Sequence, residues 1–184
     1  RKQHAVDPEE FLLDVGAVEP SEDARGLSLT ETFQTLIEDH LETVRADPDE
    51  IGGLANIFCV DEDDVTKKDR EYTAFKIIYT VRKWPSEGAL LVDLATDLAF
   101  RDLTDRWEEV PPRQRYRLLQ SLQSFRDECL LCGGSLTLTN EVVQSCCSER
   151  GVITLYCEDC DRRFLEFTAN PNETPHAILT QREE

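Results

Sequence analysis

Apolar residues recur at helical spacing through most of the first 128 positions. Asp7 and Pro8 open a short helix, with proline in the first turn and Glu9 and Glu10 near the positive end of the helix dipole; Gly16 closes it. Residues 19–27 read as a polar linker. Ser28 or Thr30 caps a helix that runs to about Arg45 and gathers Phe33, Leu36, Ile37, Leu41 and Val44 on one face. Asp47–Pro48 starts another, carrying Ile51, Leu54, Ala55 and Phe58. The spacing then predicts a helix from about Asp69 to Lys83 with Ala74, Ile77, Ile78 and Val81 inward, stopped by Trp84–Pro85. From Ser86 or Glu87 the next helix is apolar around most of its circumference, through Leu90, Leu91, Leu94, Ala95, Leu98, Ala99 and Leu103. That marks it as the central one. Pro111 and Pro112 break the pattern and start a last helix, Arg113 to about Asp127, burying Leu118, Leu119, Leu122 and Phe125.

After Cys129 the period changes from 3.6 to 2. Leu136 and Leu138 alternate with Thr137 and Thr139, and the segments Val152–Tyr156 and Phe164–Phe167 are rich in β-formers. The expected fold is α+β, a mainly helical domain over 1–128 and a small antiparallel β domain with a tail over 129–184.

Two Cys-x-x-Cys pairs frame that β unit: Cys129 and Cys132, followed by Gly133 and Gly134, and 24 residues later Cys157 and Cys160. Four thiolates at this spacing suit one closed tetrahedral zinc site, because a two-residue gap lets a tight turn aim both sulfurs at one ion. A β unit this small buries too little core to fold alone, so the metal takes the place of a core. Residues 129 to about 168 resemble a zinc ribbon, two metal loops on a small antiparallel sheet. Asp161 departs from that pattern, standing where glycine often follows the cysteine. The resemblance implies a structural ion and a binding role, with an iron site of the rubredoxin kind as the rival for the same ligands. Adjacent Cys146 and Cys147 read as small turn or buried residues, with replacement of a loop ligand as the alternative, and Cys59 reads as core.

Charge changes the picture further. The chain of 184 residues has a net charge of −18, and only 5 of its 20 basic residues are lysine. This composition resembles proteins of halophilic archaea, in which carboxylates coat the solvent-facing surface. Residues 1–66 carry 18 acids and 4 bases, residues 67–128 carry 11 and 12, and residues 129–184 carry 9 and 4. The near-neutral middle is either buried and internally paired, or faces a partner that a carboxylate coat would repel. No apolar run is long enough to cross a membrane. With no visible export signal, clustered cysteines point to metal binding in a reducing cytoplasm.

Three features of the helical part bear on binding. Ala55, Cys59 and Val65 sit at helix-turn-helix spacings, but cysteine replaces the usual glycine and Asp61–Asp64 would repel phosphate, so an ordinary helical corner is the better reading. Tyr72, Lys76, Tyr79 and Lys83 fall on one stripe if their segment is helical, an aromatic-basic pattern that suits single-stranded nucleic acid; packed tyrosines under lysine stems are the alternative. Arg113 and Arg117 share a stripe with Gln120 and Ser124, and Arg162 and Arg163 follow the second metal loop; either group could meet phosphate or pair with nearby acids. His4, His40 and His176 are scattered, Asp93 and Asp97 read as solvated carboxylates, and there is no glycine-rich phosphate loop. The sequence therefore suggests a cytoplasmic, non-enzymatic regulatory or accessory protein with no small-molecule substrate. Nucleic acid is the expected partner, and a protein–protein adaptor is the alternative.

Overall fold

The computed structural model describes residues 4–22 and 26–169; His176 lies outside them. Helix α1 (Pro8–Asp14) is capped by the Asp7 carboxylate, which accepts the Glu10 N–H at 2.8 Å. The expected linker instead contains a short antiparallel pair, β1 (Val18–Pro20) and β2 (Leu27–Leu29). Thr30 caps α2 (Glu31–Ala46), which buries Phe33, Ile37, Leu41 and Val44. Asp49 caps α3 (Glu50–Phe58).

The segment expected to be a helix over 69–83 is a three-stranded antiparallel sheet: β3 (Val65–Lys68), β4 (Thr73–Ile77) and β5 (Thr80–Trp84), in that order. Its short apolar runs fit either period, and the density of Thr, Phe, Ile, Val and Trp favours strands. Phe75, Ile77 and Trp84 face the core, whereas Ile78 and Val81, expected inward, are exposed. Ile78 and Tyr79 form the β4–β5 turn, and Ile78 has a φ of 56°, a left-handed conformation unusual for a β-branched residue. The same sheet removes the helix-turn-helix reading. Cys59 does take the left-handed turn conformation, but Glu62–Asp64 is one 3-10 turn and Val65 enters a strand where a second helix would start.

Helix α4 (Glu87–Leu103), capped by Ser86, is the centre of the molecule and packs against α2. A 3-10 turn (Asp105–Glu109) places Trp107 against α4, stacked on Phe100 at 4.1 Å, with Phe11 and Phe33 completing the aromatic cluster. Helix α5 (Pro112–Leu122) closes the body. It stops earlier than expected, in a 3-10 turn at Gln123–Phe125.

Asp93 and Asp97 are not solvated; each is only 2% exposed. Asp93 accepts the Trp84 indole N–H at 2.8 Å and the Gln123 amide at 2.8 Å, and Asp97 accepts the Trp107 indole N–H at 2.7 Å and Arg101 Nε at 2.8 Å. Burial pushes the Asp93 carboxyl up to about 7, against the pull of those two donors and of the Arg126 charge. Its protonated form is favoured in the folded state, so that contribution is complete below the ordinary carboxyl range and disappears as pH rises through about 7. Asp93→Asn keeps the hydrogen bonds satisfied, because the Gln123 amide can flip and bring its unpartnered Oε1 to the new N–H. Denaturant melts should therefore show the parent losing stability relative to Asp93→Asn between pH 5 and 8, by at most about 1.4 kcal/mol per pH unit. A constant difference across that range would refute the assignment.

Candidate metal centre

Two loops of equal geometry bring four sulfurs together. In the first, the Gly133 N–H donates to the Cys129 carbonyl at 2.8 Å and the Cys129 N–H to the Gly134 carbonyl at 2.7 Å. In the second, Asp161 N–H donates to the Cys157 carbonyl and Cys157 N–H to the Arg162 carbonyl, both at 2.9 Å. The fifth residue of each loop is left-handed, Gly133 at φ 77° and Asp161 at φ 58°. Asp161 thus makes the turn that glycine would make, a conformation Asp tolerates better than most residues. Gly134 is required for a different reason: a Cβ there would lie 2.5 Å from the Asp159 carboxylate of the opposite loop.

The loops sit on a second antiparallel sheet, β6 (Leu136–Ser145), β7 (Ser148–Cys157) and β8 (Arg163–Ala169), in that order. Leu136 pairs with Cys157, so the strand leaving the first loop lies beside the strand entering the second. Cys129 and Cys160 sulfurs are 3.9 Å apart, Cys132 and Cys157 sulfurs 3.3 Å, and all four lie within 4.8 Å of one another. A tetrahedral ion with sulfur bonds of about 2.3 Å spaces its ligands about 3.8 Å apart, so the four positions fit one ion.

The electrostatics of the cluster are uneven. Burial pushes the Cys129 thiol up to about 12. For Cys160 burial acts in the same direction, but the backbone N–H and guanidinium of Arg162, helped by the Cys157 and Cys132 thiols, overcome it and bring the thiol down to about 6. Arg162 therefore belongs to the sulfur cluster, where its charge offsets that of the thiolates. Ionising all four sulfurs together needs a cation between them.

The sheet is joined to the helical body by the start of α4. Ser86 Oγ donates to the Arg163 carbonyl, and Gly88 leaves room for Leu131 and Arg162, which a Cβ would meet at 2.5 and 3.0 Å. Cys129, Cys157, Leu155, Phe164 and Leu165 are buried in the same core as the helices.

The other expected residues fall elsewhere. Cys146 and Cys147 are exposed and form the turn at the far end of β6 and β7, about 30 Å along the strands from the loops, so neither substitutes for a ligand. Cys59, expected in the core, is exposed at the end of α3. Tyr72, Lys76, Tyr79 and Lys83 lie on or beside the β3–β5 sheet and not on a helix. Arg113 and Arg117 are exposed on α5, while Arg115 between them is buried, with its guanidinium capping the end of α3 through the Asn56 and Ile57 carbonyls at 3.3 Å. Arg163 pairs with Glu166 at 3.1 Å.

Residues 7–124 match the model for the central domain, and residues 127–167 the model for the C-terminal domain, of a family of unknown function (DUF8054). No curated protein and no solved structure matches the chain.

Because the sulfur loops share the body's core, Cys157→Ser should abolish metal binding and lower the melting temperature of the whole chain in a single transition. A loss of about 3 kcal/mol corresponds to roughly 6–12 °C in a chain of this size. Full metal content with unchanged melting would refute the site.

Proposed function

The chain belongs to that family, and we propose that it is a non-enzymatic accessory protein that docks nucleic acid, with the four-cysteine unit acting as a structural zinc ribbon. Four thiolates around one ion leave no open position for a substrate or an activated water. One observation supports the docking reading most. Every lysine among the described residues lies on the β3–β5 sheet of a chain with a net charge of −18.

Strand register places Lys68 and Lys83 on either side of Ala74, with Lys76 two residues along β4 on the same outer face. Ala74 is 0% exposed yet lies on the face opposite Phe75 and Ile77, beneath this lysine layer. Among the described residues no carboxylate lies within 4.0 Å of Lys68, Lys76 or Lys83. Lys83 sits 5.6 Å over the Tyr72 ring, and Tyr79 at the hairpin tip is 92% exposed. Ammonium groups spaced along a strand pair with aromatic rings beside them suit a single-stranded backbone whose bases stack. Helix α5 packs against the other face of the sheet, where the Tyr116 ring meets Trp84 and Arg82 and its hydroxyl donates to the Lys83 carbonyl at 3.2 Å, so the α5 arginines do not extend the lysine layer. The adaptor reading draws on a separate feature, the exposed Ile78, Tyr79 and Val81 around the strained turn.

Anisotropy with a labelled single-stranded oligonucleotide tests the main reading. The parent should bind with a steep salt dependence. Replacing Lys68, Lys76 and Lys83 together by Gln should weaken binding for all sequences alike and reduce the log–log salt slope by about 2 units, near 0.7 per lost phosphate contact. No binding by the parent removes the nucleic-acid reading. Loss of binding to a protein partner on Tyr79→Ala would favour the adaptor. Elemental analysis should find one zinc per chain; stoichiometric iron with thiolate-to-iron absorption would exclude zinc.

A further inference from the structure

A cavity of about 510 Å³ opens between α2, the edge of β2 and the first sulfur loop. Arg126 lines it from inside the fold. This residue is only 8% exposed, its Nε has no hydrogen-bond partner, and no described carboxylate lies within 4.0 Å of its guanidinium. Asp93 and Glu38 attract it only through space, because Asp93 gives one oxygen to Trp84 and the other to Gln123. A buried guanidinium with unused donors is costly unless something with acceptor oxygens completes it.

The opposite wall also offers unused backbone. Thr30 N–H bonds the Ala17 carbonyl at 3.0 Å and Ser21 N–H bonds the Gly26 carbonyl at 2.9 Å. Antiparallel pairs alternate between bonded and non-bonded, so Glu19–Ser28 is bonded, and Val18–Leu29 and Pro20–Leu27 are not. Leu27 and Leu29 therefore point their N–H and C=O groups away from β1, and Leu29 lines the cavity. The exposed carboxylates of Glu38, Asp127 and Glu128 stand at the mouth and disfavour a simple anion.

We propose that this cavity binds the C-terminal carboxylate of an extended peptide with basic side chains: the carboxylate meets Arg126, the peptide backbone adds to the free edge of β2, and the basic side chains meet the acidic mouth. Arginine matches carboxylate geometry with two parallel donors, and strand addition supplies sequence-independent backbone bonds. The proposal is independent of nucleic-acid docking, which uses the β3–β5 sheet.

The test uses the full metal-loaded chain and a fluorescein-labelled peptide, Ser-Arg-Ser-Arg-Ser-Val with a free C-terminus, followed by anisotropy. The free acid should bind, and its C-terminal amide should bind at least about tenfold more weakly. Arg126→Gln should weaken the free acid to a similar extent. Leu29→Pro, which removes the outward N–H and leaves the β1–β2 bonds in place, should also weaken it while retaining full metal content. No binding of the free acid, equal binding of acid and amide, or parent-like binding by a metal-loaded Leu29→Pro would each overturn the proposal. So would displacement by acetate at the peptide's own concentration, which would reassign the cavity to small carboxylates.

Discussion

Two carboxylates inside a helix set the arrangement of this protein. Asp93 and Asp97 lie one turn apart on α4, buried where a charge is expensive, and each receives the indole N–H of one of the chain's two tryptophans. A buried carboxylate is tolerated only when its oxygens are satisfied, so the two tryptophans cannot be placed elsewhere without a large loss. Trp84 ends β5, and its bond to Asp93 seats the whole β3–β5 sheet against α4. Trp107 belongs to the turn before α5, and Arg115 lies 5.8 Å over its ring while capping α3. Gln123, bonded to the same Asp93, positions the chain as it leaves α5 for the sulfur loops. One helix face thus indexes a sheet, a turn and the approach to the four-cysteine loops.

The four-cysteine cluster depends on the same helix from the other side. Its loops rest on the first turn of α4, where Gly88 gives them room and Ser86 both caps the helix and binds the Arg163 carbonyl. Cys129 and Cys157, with Leu155, Phe164 and Leu165 of β7 and β8, share one apolar core with the helices. The family models nonetheless meet between residues 124 and 127, where the last helical turn gives way to the first loop. A unit can be distinct in sequence and still borrow its core from its neighbour.

Basic side chains separate by job in the same way. Arg101, Arg115 and Arg162 are held by a buried carboxylate, by helix-end carbonyls and by a thiolate, respectively. The planar fork of arginine suits these bidentate, partly desolvated tasks. Lysine, a hydrated point charge on a flexible stem, supplies Lys68, Lys76 and Lys83 to the outer sheet face, while Lys67 on the other face pairs with Glu50. The near-neutral middle of the chain is therefore composed of both, part internal pairing and part exposed surface.

By itself the sequence picked out the four cysteines that cluster, because each Cys-x-x-Cys pair constrains its own turn locally and the strands between the pairs bring the two turns together. It also located three helix starts: Asp7 caps α1, and of the two residues offered at each of the next two starts Thr30 and Ser86 are the caps, since a cap bonds within three residues. Only the tertiary structure decided what residues 65–84 would be. Their short apolar runs suit helix and strand alike, and the choice fell to strands that could bury Phe75 and Trp84 against α4. The fates of Asp93 and Asp97 were equally illegible, since a carboxylate among 38 acids looks solvated until two indoles from 9 and 10 residues away are seen to reach it. Arg126 and the free edge of β2 are brought to one cavity by α2 and the first loop, a meeting of segments about 100 residues apart that no local pattern encodes.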